Sequence, residues 1–201
     1  MSARRFPILA CSPSDEREFI RFWAEQYYDK NEPMYQRNIG RLTPTSVREL
    51  FLWKNGGHLT EKMERSVKQN YVARLPELKR LPLDLDPGQF FQTFSRGGTI
   101  WRVFFLHIWQ PTKYPIFDQH VYRAMCFLKT SKLAEIPPQD GKKLSIYINE
   151  YLSFFRSFAH RKDRRVDKAL WSFGRFLKSQ FHAMVTGSEP TSSRSTRRRL
   201  G

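Results

Sequence analysis

Apolar residues recur along this chain at spacings of three and four, with no alternating stretch and no internal repeat. That pattern predicts helices throughout and an all-α fold. Ser12-Pro13-Ser14-Asp15 reads as an N-cap, a proline at the first helical position and an acid at the third, with Phe19, Ile20, Phe22 and Trp23 inward behind it. Thr43-Pro44 repeats the start signal ahead of Val47, Leu50 and Phe51, and Gly56-Gly57 marks the stop. A helix over 58–73 follows, then a connector between Pro76 and Pro82. Asp86-Pro87 opens a brief helix through Phe90, Phe91 and Phe94 that ends at Gly97-Gly98. Residues 100–110 are apolar almost all round, as in a helix buried on most sides. Val121, Ala124, Met125 and Leu128 form the stripe of a helix over about 118–130, and 144–158 reads as a long aromatic helix. In the last helix Val166, Ala169, Leu170, Phe173, Leu177 and Met184 share one face.

Length and composition then set the class. With 201 residues, seventeen Phe and five Trp, the chain is long enough to bury a sizeable core. One two-lobed helical domain is expected over 1–187, followed by a disordered basic tail over 188–201 that carries Arg194, Arg197, Arg198 and Arg199 against Glu189. The densest apolar run, 100–109, is broken by Arg102 and His107 and falls short of a span of roughly 20 residues. Phe6 to Cys11 is too short for a secretory signal. The expectation is an intracellular monomer, cytoplasmic or nucleoid-associated, without a membrane partner. Cys11 and Cys126 are too few for an iron–sulfur cluster or a multi-cysteine zinc site, and the five histidines lack metal-ligand spacing, so no metal and no cofactor is expected.

Charge names the partner class. Thirty-five Lys and Arg against 19 Asp and Glu leave a net +16. A polyanion offsets such self-repulsion, and nucleic acid is the first candidate. The stretch from Asp86 to Arg123 is the one that carries chemistry. A short helix, the turn Ser95-Arg96-Gly97-Gly98 and a buried helix beginning near Thr99 make a helix-hairpin-helix. Glycines in such a turn let backbone N–H groups approach a phosphate, and the second helix offers its positive end. Alone, this is also what an ordinary helix–helix turn looks like.

Twenty residues after Gly98 stands Asp118, inside Tyr114-Pro115-Ile116-Phe117-Asp118-Gln119-His120-Val121-Tyr122-Arg123. This segment resembles the one ending in the catalytic aspartate of the helix-hairpin-helix DNA glycosylases, whose adenine-glycosylase and endonuclease III relatives carry an apolar-Pro-Ile-apolar-Asp or Val-Asp element. Asp167-Lys168-Ala169-Leu170-Trp171-Ser172-Phe173-Gly174 is similar to a later helix of the same superfamily. The likeness covers about 86–177, and the first 80 residues share only the helical pattern. It implies double-stranded DNA with a modified or damaged base as partner, Asp118 as the catalytic carboxylate, and DNA contacts from Arg96, Gly97, Gly98, Thr99, Gln119, His120 and Arg123. Arg164 and Arg165 belong to a basic elbow, with Arg161, Lys162 and Lys168, that would grip the backbone. Trp53, Lys54, Asn55 and His58, at the end of an early helix, would supply the pocket or wedge of a base-flipping enzyme. Trp23, Tyr27, Tyr28 and Tyr35 are a second candidate lining for the pocket, but read first as helix packing.

Breaking an N-glycosidic bond makes the sugar oxocarbenium-like, so a carboxylate beside it stabilises the developing positive charge. At the start of a helix Asp118 is favoured as the anion; an isolated aspartate there is otherwise simply an N-cap. The sequence departs from the superfamily in three places. Thr99, Ile100 and Trp101 stand where strand-cutting members place a Schiff-base lysine, which implies a monofunctional enzyme that leaves an abasic site unless Lys113 or another lysine substitutes. No cysteines follow Lys178, and the hairpin is Ser-Arg-Gly-Gly in place of Pro-Gly-apolar-Gly. The rival reading is a non-catalytic helical DNA- or RNA-binding protein that uses the hairpin as a phosphate clamp. The base itself stays open: oxidised purines, alkylated bases, mismatched adenine or hypermodified phage pyrimidines. A role in repair or in defence against phage stays open with it.

Overall fold

The computed structural model describes residues 15–178, and every regular element within them is helical. Helices α1 (Glu16–Glu25), α2 (Glu32–Asn38), α3 (Pro44–Lys54) and α4 (Glu61–Asn70) lead, through a 3₁₀ turn Val72–Arg74, to the short α5 (Leu75–Leu78). They are followed by α6 (Pro87–Thr93), α7 (Thr99–Trp109), α8 (Gln119–Thr130), α9 (Asp140–Ile146), α10 (Leu152–Arg156) and α11 (Arg164–Phe176). A π-helical segment, Tyr147–Tyr151, joins α9 to α10. One hydrophobic core threads all of them. Helix α7 is buried along most of its length, and α11 packs between α1 and α8. No helix among the described residues is long and apolar enough to cross a membrane.

Start signals read from the sequence place most helices. Thr43 caps α3 by accepting from the Ser46 N–H, and Asp86 caps α6 by accepting from the Gly88 N–H. Four boundaries differ. The α1 cap is Asp15, not Ser12; Ser12 to Ser14 lie outside the described residues, as do Met184 and the basic tail. Thr60 caps α4, so the helix expected over 58–73 begins three residues later and tightens into the 3₁₀ turn. The connector between Pro76 and Pro82 is preceded by α5, which Pro76 itself opens. The aromatic helix over 144–158 starts at Asp140, and its π turn buries Tyr147 and Tyr151 together. Helix α2 was not expected; its signal, Asn31-Glu32-Pro33, is a proline-opened first turn without a side-chain cap.

Between α6 and α7 the chain reverses through Ser95–Gly98, all four residues exposed. Arg102, one turn into α7, donates from Nε to the Phe94 carbonyl at 2.8 Å and from Nη2 to the Phe91 carbonyl at 2.7 Å. Those carbonyls are orphans of the α6 C-terminus, so the guanidinium ties the two helices into a hairpin. The glycine requirement falls on Gly97: its φ is +94°, and a Cβ there would overlap the Tyr71 hydroxyl. Gly98, its neighbour in the turn, has φ −68° and open space around it. Gly97→Ala is therefore expected to lower stability by about 1–3 kcal/mol, and Gly98→Ala to stay within about 0.5 kcal/mol. Urea unfolding of both variants checks the order.

Candidate active site

A cavity of about 260 Å³ opens between the C-terminal end of α3, the segment after α1, the start of α8 and the first turns of α11. Four of its walls are aromatic: Tyr27, Tyr28, Trp53 and Trp171. Tyr28 stands at the mouth, 77% exposed, whereas Trp53 is buried. The volume lies just below the roughly 300–1,000 Å³ of drug-sized sites, so the cavity suits a single flat heterocycle.

Three aspartates line this space: Asp29, which accepts from the Asn31 N–H at 2.8 Å, Asp118 and Asp167. Asp118 is the N-cap of α8: Oδ1 accepts from the His120 N–H at 2.9 Å and the Val121 N–H at 3.3 Å. Its other oxygen, Oδ2, accepts from Lys54 Nζ at 2.8 Å, with the two side chains 16% and 10% exposed. Burial pushes the Asp118 carboxyl up. Lys54, by charge and by direct hydrogen bond, together with His120 and the Val121 N–H, outweighs burial and holds it below the usual carboxylate range. Asp118 is thus an anion at neutral pH.

Asp167, in the first turn of α11, is poised the other way. Burial raises its carboxyl to about 6, against the opposing pull of Arg164 and Lys54; the Asp118 charge adds to the rise, and the Ile116 backbone lowers it slightly. Arg164 Nη1 reaches Asp167 Oδ2 at 3.2 Å, while Oδ1 is enclosed without a well-formed hydrogen bond. The guanidinium in turn lies 4.5 Å over the Tyr35 ring and 5.6 Å over Trp53, within cation–π range. Behind it, Glu32 takes Lys168 Nζ at 2.9 Å, Arg164 Nη2 at 3.6 Å and the Tyr27 hydroxyl at 3.0 Å. Lys54, Arg164 and Lys168 interlock with Asp118, Asp167 and Glu32, and Asp29 adds a further carboxylate to the lining, so the chamber is polar, aromatic-walled and without an excess of positive charge.

The scaffold under Arg164 is fixed by a buried relay. Tyr35 donates to His107 Nε2 at 2.8 Å, and His107 Nδ1 donates to the Tyr114 carbonyl at 2.7 Å. Because that carbonyl only accepts, the proton sits on Nδ1. Burial, only partly opposed by the Tyr114 bond, pushes the imidazole down to about 3, so His107 is neutral. A neutral ring at this position holds Tyr35 without adding a fourth cation.

Of the residues singled out in the sequence, Asp118, Lys54 and Trp53 come together in the cavity. Arg164 joins them there as part of a wall, captured by Asp167 and the Tyr35 ring, and does not grip backbone from an exposed elbow. Arg165 and Gln119 remain exposed, as does Arg96 in the hairpin turn. Arg123 is corrected outright. It is 1% exposed and turned inward, donating to both oxygens of Glu135 at 2.8 Å and to the Gly174 carbonyl at 2.9 Å, so no phosphate reaches it. Thr99 is likewise buried, with its hydroxyl donated to the Asp140 carbonyl at 3.0 Å. His120 packs edge-on to Trp171 at 5.2 Å, and burial lowers its pKa. Asn55 donates to the His58 carbonyl, and neither residue lines the cavity; His58 is exposed. Lys113 sits elsewhere, donating to the Leu83 carbonyl at 3.0 Å. Tyr27 and Tyr28, read first as helix packing, line the cavity. Asp167 was missed as a site residue: the sequence showed it only at the head of a superfamily-like helix motif.

No family model, curated protein or solved structure matches the chain. Its chemistry therefore rests on this geometry: an anionic carboxylate held by a lysine, a second carboxyl raised by burial, and aromatic side chains lining a small cavity.

Proposed function

We propose that the protein is a DNA glycosylase of the helix-hairpin-helix kind, with two helical lobes meeting at the cavity. It flips a modified or damaged base into that cavity and hydrolyses its N-glycosidic bond. The observation that carries the reading is the placement of the ionised Asp118 in the wall of an aromatic chamber sized for a single ring. A clamp that only binds backbone has no use for such a chamber, and a carboxylate facing it would repel phosphate. Three further features support the reading. Net charge is +16; the exposed turn Ser95–Gly98 presents Arg96 at the N-terminal end of α7; and Gln119 lies exposed beside Asp118.

In this reading a base stacked between the tyrosine and tryptophan faces presents its sugar to Asp118. As the bond to the base lengthens, positive charge gathers on C1′ and the ring oxygen, and the fixed carboxylate stabilises it without reorganising. Lys54 holds the carboxylate in place and keeps it ionised. Lys54 Nζ is engaged by Asp118 Oδ2 at 2.8 Å and not held ready to attack the sugar, so the reaction stops at an abasic site. Incubation with duplexes carrying oxidised, alkylated, mismatched or hypermodified bases is expected to give, for at least one of them, strand breaks only after alkali or heat. Breaks without that treatment would reassign Lys54 as a Schiff-base amine. Tight duplex binding with no excision from any duplex would favour the clamp.

A further inference from the structure

We propose that Asp167 is the general acid that protonates the departing base, working opposite the Asp118 carboxylate across the same cavity. This inference rests on the glycosylase reading above and adds a second catalytic group to it. Both carboxyl groups line the chamber, yet their surroundings differ. Asp118 has three well-formed partners in Lys54 Nζ and two backbone N–H groups. Asp167 has one, Arg164 at 3.2 Å, besides a looser approach of the Ile116 backbone, and its Oδ1 is enclosed without a well-formed hydrogen bond. A buried oxygen left in that state is best satisfied by a proton of its own or by a guest that shares one.

Charged and titratable groups from several elements surround Asp167, among them Asp29, after α1, in the same cavity lining and Glu32 of α2, which shares Arg164 with it. Arg164 is on its own helix, Lys54 on α3, Asp118 at the cap of α8, Tyr35 on α2, and Tyr147 and Tyr151 on the π turn. Two cations pull against burial and one anion reinforces it, which leaves the carboxyl at about 6. A pair of carboxyl groups whose environments drive them apart divides the labour of glycosidic cleavage: the one held low stabilises charge, the one held high delivers a proton.

The C1′–N bond breaks with its electron pair moving onto the base. Asp167 gives its proton to a ring nitrogen or carbonyl oxygen of that base, and Asp118 faces the oxocarbenium left behind. Water then adds its oxygen to C1′ and returns a proton to the Asp167 carboxylate, which restores the acid. Base, water and abasic sugar account for every atom.

The test is the single-turnover excision rate of Asp167→Asn against wild type as a function of pH, on the duplex the wild type attacks. Wild-type activity is expected to fall as pH rises above about 6, because the acid form is lost. Asp167→Asn is expected to lose about 10²–10⁴-fold at pH 6, to lose the dependence around pH 6, and to keep duplex affinity. Bases that leave readily without protonation, such as pyrimidines with electron-withdrawing substituents, are expected to lose least. A merely structural role for Asp167 would lower all substrates alike and leave the pH profile in place, and that result overturns the proposal while the glycosylase reading stands. If the Asn variant does not fold, the wild-type profile decides: rates flat from pH 5 to 8 overturn it equally. A wild-type protein that releases no base overturns both readings at once.

Discussion

Replacement of Asp118 by Asn is expected to reduce base excision by about 10³-fold or more, equivalent to about 4 kcal/mol of transition-state stabilisation. The fold should survive it. Asn is nearly as good an N-cap as Asp, so the bonds from the His120 and Val121 N–H groups are retained. What is lost is the charge opposite Lys54. Since that ammonium is only 10% exposed, its pairing loss is expected to lower stability by about 1–3 kcal/mol. Duplex affinity should hold or rise, because one negative charge has left a surface that meets phosphates. Single-turnover excision, thermal unfolding and duplex titration on one preparation separate the three effects. An Asn variant that excises at the wild-type rate would make Asp118 a cap and nothing more.

The second large effect falls on Gly174. A Cβ at this position would overlap the His120 backbone carbonyl, so α8 and α11 approach each other too closely for any side chain. Ala is the better helix former by roughly 0.5–1 kcal/mol, and an exposed glycine in this place would gain from the change. Here the expected sign is opposite: Gly174→Ala should lose about 1–3 kcal/mol, because backbone cannot yield as a side chain does. It also displaces the Gly174 carbonyl that accepts from Arg123 Nη1. His120 is the second residue of α8, so the displacement reaches the Asp118 cap, and excision should fall more than stability alone accounts for. Urea unfolding together with excision at matched folded fraction checks both parts. A variant as stable as wild type would deny the close approach.

How much of this was legible beforehand depends on the distance over which each feature is decided. Helix starts are local, and Thr43-Pro44, Asp86-Pro87 and Asp118 announced them correctly, including Asp118 as a cap. The cluster of Trp53 and Lys54 just before a double glycine was visible too, because a helix end concentrates functional groups where the chain turns. Charge was misleading. Arg123 looked like a DNA contact until Glu135, twelve residues on, and the Gly174 carbonyl neutralised it in the interior. Arg164 read as part of a basic elbow, and Asp167 as the head of a helix motif. Only the packing of α11 against α1 and α8, with Tyr35 brought under Arg164 by His107, turns the pair into a cavity wall. Gly174 was noticed within a motif, but its reason is a contact 54 residues away in sequence, with His120.

The account stands or falls on free base. Duplex DNA carrying each class of modified base is incubated with the full chain, and the supernatant is read by mass spectrometry for released heterocycle, with Asp118→Asn alongside. The expected result is one class of base released by wild type, an equal number of alkali-labile abasic sites in the DNA, and neither with the variant. Duplex bound tightly at low salt with no base released from any class, or release undiminished by Asp118→Asn, would contradict it.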